Sequence, residues 1–213
     1  MSRRTMFVAA GLVLAGATVA TAQNPGLPVY NSGVSTGLTL SGDVGFPNNN
    51  SGGGTAFGGT GKLGFGPLAV SLSASSYKPD GGTSHTSLGG TFNWKLFGGP
   101  LIPFSVTFQA GGSRTEVGGT TFWHVPVGIG FAASIPTTVI GIRVWAAPRA
   151  DIARTSNTVG SNTNSNFGMS GGVEFNLLSG LGFHAAYDYV KVKGGSATTI
   201  GVGVHYGIHV PGL

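Results

Sequence analysis

Two-residue alternation along most of the chain, a charge-poor composition without cysteine, and a basic-then-apolar leader predict an all-β fold. The expected form is an antiparallel up-and-down β-barrel that crosses a membrane, with about ten strands and eight as the alternative. The leader comes first. MSRRTMFVAAGLVLAGATVATA opens on Arg3 and Arg4, continues through an apolar run from Met6 to Val19, and closes on Ala20-Thr21-Ala22. This is the order of a secretory signal peptide, cleaved before Gln23. The apolar run is too short for a permanent helical span. Residues 1–22 are therefore read as the signal peptide and 23–213 as a single barrel domain.

Composition excludes the common alternatives. The 213 residues include 40 Gly and no Cys, and 8% are charged. An exported chain without cysteine has no disulfide framework. A soluble surface ordinarily carries far more charge. No later stretch is apolar for long enough to be a membrane helix, and closed barrels are the other structures that satisfy their backbone inside lipid. The net charge of +5 includes the two leader arginines. The remaining Lys and Arg are scattered singly, so no nucleic-acid partner is expected.

The segments follow in order. Outward apolar positions are Leu38, Leu40, Val44 and Phe46; Phe57, Leu63 and Phe65; and Leu68, Val70 and Leu72. Next come Leu88, Phe92, Trp94 and Leu96; Phe104, Val106 and Phe108; and Trp123, Val125, Val127, Ile129 and Phe131. Ile140, Ile142 and Val144 follow, then Met169, Val173, Phe175 and Leu177, then Phe183, Tyr187 and Tyr189. The series ends in "TTIGVGVHYGIHV", whose apolar face runs from Ile200 to Val210. Each segment is near the length that crosses a bilayer at a tilt. Tight separators (Gly66-Pro67, Pro136-Thr137, Leu178-Ser179-Gly180) are expected to alternate with loose ones at 47–54 and 155–165. An even strand count would return both termini to one side.

Parity tests the scheme, because a one-residue slip reverses every face. Across Gly66-Pro67, Phe65 meets Leu68 and Lys62 meets Ser71. A two-residue turn at Pro136-Thr137 pairs Ile135 with Thr138, Ala133 with Ile140 and Ser134 with Val139. A turn at Gly194-Gly195 pairs Tyr189 with Ile200 and Tyr187 with Val202. Aromatics sort by end: Phe46, Phe57, Trp123, Phe167, Tyr187 and Tyr189 at one, and Phe65, Trp94, Phe104, Phe175 and Tyr206 at the other. Two such girdles mark the lipid interfaces of a barrel.

The leader, the alternating strands, "FWHVPVGIGF", "LGFHAAYDYV" and the closing "GVGVHYGIHV" resemble the small bacterial outer-membrane β-barrel proteins. This superfamily includes the OmpA transmembrane domain and OmpX-like and OmpW-like proteins. The resemblance implies an outer-membrane location, the lipid bilayer and the outer-membrane assembly machinery as partners, and a monomer. Implied roles range from anchoring through adhesion to small pores, with no catalytic motif. Members usually end in an aromatic residue, whereas this chain ends in "VPGL".

Short motifs add no chemistry. Gly59-Thr60-Gly61-Lys62-Leu63-Gly64 matches a dinucleotide fingerprint but alternates as a strand and lacks the helix that would hold a phosphate. Gly168-Met169-Ser170-Gly171-Gly172 lacks the strand-to-helix turn of a nucleophile elbow. No catalytic residue, cofactor or metal is assigned.

The polar residues fall into two groups. Asp43, Lys62, Lys95, Arg143, Glu174, His184, Asp188 and His205 have inward parity and form the expected lumen cluster, with His124, Arg149, Asp151 and His209 on the same face. Opposite charges in a narrow lumen read as a salt-bridged plug. Lys78, Arg114, Arg154, Lys191 and Lys193 form a basic rim that could meet the phosphates of lipopolysaccharide.

The function expected is a non-enzymatic outer-membrane barrel, with a structural or surface-contact role or at most a narrow small-solute pore. The alternatives are a barrel enzyme acting on lipid or peptide, and an exported soluble glycine-rich β protein. The turn at Gly194-Gly195 sets His205 directly opposite His184, and a three-residue turn at 178–180 sets Glu174 on its other flank. The three would form one row that loosens when both histidines protonate near pH 6. The same register puts Ser170 opposite Asp188, too far from His184 for a catalytic relay.

Overall fold

The computed structural model describes residues 24–99, 102–135, 137 and 140–208. Ten strands follow in chain order: β1 Gly37–Pro47, β2 Thr55–Phe65, β3 Leu68–Lys78, β4 His85–Phe97, β5 Phe104–Val117, β6 Thr120–Ile135, β7 Ile140–Asn157, β8 Gly160–Leu177, β9 Leu181–Val192 and β10 Gly195–Ile208. Each pairs antiparallel with its chain neighbours, and β1 pairs with β10, so the sheet closes. Ten strands, not eight, make the barrel. The apolar positions of each strand point out: Leu72 is 79% exposed and Phe57 60%. An outer surface this apolar is covered by lipid, since water would leave it unsatisfied. Both predicted aromatic sets lie on this surface at their expected ends. The leader, His209 and the closing "VPGL" lie outside the described residues.

We call the end where β1 begins and β10 finishes the base, and the opposite end the mouth. The expected sorting of short and long connections fails. The base carries Gly66-Pro67 and 178–180 but also 98–103, and the mouth carries 48–54 and 79–84 but also two-residue turns at 118–119, 158–159 and 193–194. The segment 155–165, expected as a loose loop, is strand. β7 and β8 pair without a break from Ile140↔Leu177 to Asn157↔Gly160. Alternation vanishes there because both faces of the hairpin are exposed beyond the barrel, not because pairing stops.

Two predicted registers are corrected. Around Pro136-Thr137 the pairs are Ser134↔Arg143 and Ile135↔Ile142, four residues beyond the expected register, with Ala133 facing Val144 rather than Ile140. β6 ends at Ile135 and β7 begins at Ile140, and the Thr137 hydroxyl accepts from the Ile140 amide at 3.0 Å. In the last hairpin Lys193-Gly194 is the turn, Gly195 pairs with Val192, and every partner moves by two. Tyr189 meets Thr198, Tyr187 meets Ile200, and His184 faces Gly203 rather than His205. Gly194 supplies the positive φ of 89° that this turn needs, and Gly195 continues the strand. Both errors are even numbers, so no face reverses. The turns at Gly66-Pro67 and 178–180 have the predicted registers, with Lys62↔Ser71 and Glu174↔His184.

The interior holds a feature the alternation did not predict. Residues 24–36 precede β1 and run inside the barrel from the mouth half to the base. Gly26 lies against Ala56 and Tyr77 near the mouth, and Ser35 against Gly64 at the base. Val29 is fully buried and Leu27 5% exposed, although neither belongs to a strand. The strands do return to one side, as expected, but this strap reverses the path of the chain ahead of them.

Candidate functional site: the lumen

The lumen has three layers. Nearest the mouth is a buried ionic group built from β6, β7 and β9. The Arg149 guanidinium donates two parallel bonds to Asp188, Nη1 to Oδ1 at 2.8 Å and Nη2 to Oδ2 at 2.9 Å. Its Nε lies 2.7 Å from Asp151, whose other oxygen lies 2.7 Å from His124 Nε2. The two Asp151 contacts are close enough for ion pairing but angled away from hydrogen-bond geometry. The Asp188 and Asp151 side chains are 4% and 1% exposed. A charge is tolerated at such depth only when paired. Gly168 on β8 provides the space, since a side chain there would overlap the Asp151 carboxylate.

The middle layer is a chain of four side chains across four strands. His184 on β9 reaches over Gly203 on β10 to Asp43 on β1, with Nε2 2.6 Å from Oδ1. His205 on β10 reaches the other way, over Gly182 on β9 to Asn176 on β8, with Nε2 2.8 Å from Oδ1. The two rings meet at Nδ1 to Nδ1, 3.1 Å apart, and stack at 21° with centroids 5.4 Å apart. The contact therefore forms although the two residues are diagonal rather than directly opposite. It depends on the two glycines, because a Cβ at Gly203 would lie 2.5 Å from Asp43 Oδ1, and one at Gly182 would overlap the His205 ring. Ser41 donates to the free oxygen of Asp43 at 3.2 Å. Tyr30 of the strap packs edge-on against His184, with centroids 4.9 Å apart.

The third layer is a cavity of about 400 Å³ at the base, whose wall includes Lys62, Arg143, Glu174, His184 and His205. Its cations are turned to the strap. Lys62 donates to the Gly33 carbonyl at 2.6 Å, and Arg143 to the Ser32 carbonyl at 3.3 Å and the Ser134 hydroxyl at 3.2 Å. Gln109 donates to the Tyr30 carbonyl at 2.9 Å, and the Val29 amide donates to Asp188 at 3.4 Å.

The predicted cluster is thus divided. Asp43, His184 and His205 come together. Asp188 joins Arg149 nearer the mouth. Lys62, Arg143 and Glu174 line the basal cavity, and Lys95 lies on the inner face of β4 outside that cavity wall. Glu174 faces His184 in register, but the imidazole bonds to Asp43 instead. Ser170 faces Asp188, and its hydroxyl is sealed at 1% exposure. Among the described residues no three-ligand metal cluster forms. Sequence reasoning missed the strap, Gln109 and Asn176. The last two had inward parity as their only signal.

The rim residues Lys78, Arg114, Arg154 and Lys191 are exposed and share the outward parity of the apolar band, with Lys193 in the adjacent turn. Trp123 is flanked in register by Arg114 on one side and Arg154 on the other. Arg114 also pairs with Glu116 at 3.0 Å in an exposed position.

No family model and no curated protein sequence matches the chain. Solved structures do. The β domain of the Bordetella autotransporter BrkA is similar with a TM-score of 0.52 at 14% identity, covering 82% of this chain and 100% of that one. The shared fold is a closed β-barrel. The outer-membrane enzyme PagL (TM-score 0.44, 11% identity, 80% of this chain and 99% of that one) and the KdgM porin (0.44, 10%, 80% and 99%) also match. A fold alone does not fix activity, which has to be argued from the lumen and the rim.

Proposed function

We propose that this protein is a plugged, monomeric outer-membrane barrel with a structural and surface-contact role and no enzymatic activity. The observation that carries the reading is the strap: residues 24–36 fill the lumen and take up the donors of Lys62, Arg143 and Gln109. A lumen so filled gives solutes no wide path. The polar groups capable of chemistry are engaged with one another. His184 is held by Asp43, Arg149 by two carboxylates, and Ser170 is sealed from substrate. The residues 1–22 act as a cleaved secretory signal, and the outer-membrane assembly machinery inserts the chain. Outside, Arg114, Arg154, Lys78 and Lys191 meet the phosphates of lipopolysaccharide while Trp123 sits at the interface between them.

Planar-bilayer recording of the purified protein tests this reading. Currents should be small or absent. Any that appear should slightly favour anions, because Lys62 and Arg143 line the base. Large, stable, cation-selective steps would overturn the plugged reading.

A further inference from the structure

The wall is cut to the shape of the strap. Inward glycines follow its path down the barrel, and a Cβ at any of them would strike it. Gly45 abuts the Gly26 carbonyl near the mouth, Gly201 would place a Cβ 2.6 Å from Pro28, and Gly130 2.6 Å from Asn31. At the base Gly64 abuts the Ser35 carbonyl. These glycines come from β1, β10, β6 and β2, so the track winds round the lumen as an extended chain would.

The strap is held lightly within that track. It pairs with no strand along its length. Among the described residues, four hydrogen bonds tie its backbone to the wall, from Gln109, Lys62 and Arg143 and to Asp188. Asn31 is 2% exposed, yet neither atom of its amide has a protein partner. On the wall, Thr107 Oγ1 and Trp145 Nε1 are buried and unpaired as well. A permanent core element normally satisfies such groups. Here the shape fits a peptide backbone while the polar matching is incomplete.

We propose that the lumen is a channel for an extended polypeptide segment, and that residues 24–36 are its displaceable resident, entered from the mouth. The binding determinants are backbone carbonyls, read by Gln109, Arg143 and Lys62, and small or flat side chains that pass the glycine track. The ligand class is therefore an uncharged, extended peptide. This rests on the plugged-lumen reading.

The test perturbs the strap and leaves the wall untouched. Val29→Asp with Leu27→Asp places carboxylates at buried positions, one beside Asp188. The variant should still migrate as a closed barrel when unboiled, and its bilayer conductance should rise about tenfold or more over wild type. A synthetic peptide of residues 24–36 should block that current, and the same peptide carrying both aspartates should not. A closed-barrel variant as silent as wild type, or one that both peptides block equally, would overturn the proposal. A freely conducting wild type would instead remove the plugged reading beneath it. A second measurement uses wild type alone. Chymotrypsin should cut at Tyr30 at urea concentrations where the barrel keeps its unboiled mobility. Protection of Tyr30 until the barrel itself unfolds would refute displacement.

Discussion

Replacing Arg149 with Met should be among the most damaging single changes in the chain. The Arg149 side chain is 2% exposed and is placed between two carboxylates, bonded twice to Asp188 and in ionic contact with Asp151 at 2.7 Å. Met fills much of the same volume, so packing is nearly preserved and the loss is electrostatic. Breaking a buried ion pair by removing one partner costs about 3–5 kcal/mol, because the other charge stays buried without compensation. Here two carboxylates lose their shared cation and only His124 remains nearby, so the upper part of that range applies. About 4 kcal/mol lowers the folding equilibrium constant roughly a thousandfold. The assay is urea unfolding in detergent micelles, followed by the mobility difference between unboiled and boiled samples. The informative partner is the triple variant Arg149→Met, Asp151→Asn, Asp188→Asn, in which no net charge is buried at the network. It should recover most of the loss, since an uncharged isostere of a buried ion group is often nearly neutral. Two results would refute the reasoning: an Arg149→Met midpoint equal to wild type, or a triple variant no more stable than the single one.

Three further outcomes follow from the middle layer and the rim. Gly203→Val should push His184 away from Asp43 and cost about 1–3 kcal/mol of overpacking strain in the same unfolding assay, whereas Val at the outward Gly61, which has only the tip of Leu40 within reach, should cost much less. His184→Ala should change the NMR titration of His205, because their Nδ1 contact survives only while one of the two nitrogens is unprotonated; an identical His205 curve would contradict the pair. Arg114→Gln with Arg154→Gln should weaken binding to lipopolysaccharide micelles at low salt by several-fold while leaving the urea midpoint within about 0.5 kcal/mol of wild type, and unchanged binding would remove the rim from the proposed contact.

Parity was readable along the chain, whereas register was not. The two-residue period of Phe183 to Tyr189 and Ile200 to Tyr206 fixes which side chains face lipid, and it does so for any even slip. That is why the hairpin at Lys193-Gly194 could be misplaced by two residues and the one after Ile135 by four without moving one residue to the wrong face. Turn position depends instead on which glycine adopts positive φ. Two consecutive candidates, Gly194 and Gly195, leave that open until backbone angles are known. The hairpin of β7 and β8 was illegible for a different reason. Beyond the membrane both of its faces are wet, so Ser161 to Asn166 carry no apolar alternation even though every residue is paired.

The lumen carried a signal in its glycines that alternation alone does not decode. On the outer face, glycine merely omits a side chain from the apolar band. On the inner face of a narrow barrel, it marks space that something else must occupy. Gly182 and Gly203 are filled by the two histidines that lean across them, and Gly45, Gly64, Gly130 and Gly201 are filled by the strap. A lumen this rich in inward glycine would otherwise hold a void through much of its length. The uncharged, Pro- and Gly-containing segment "NPGLPVYNSGV" ahead of β1 fills it. Its lack of charge lets it pass Arg149 and Asp188 without replacing either partner of that pair, while its Gly33 carbonyl takes Lys62. It meets the wall mostly through backbone groups, taking Lys62 and Arg143 at the base and leaving the charges nearer the mouth to pair among themselves, as in the Arg149 fork to Asp188. Ionic pairing of the wall and peptide filling of the lumen are therefore separate devices. A substitution that ejects the strap should open the barrel without unfolding it, whereas one that breaks the Arg149 group should unfold it.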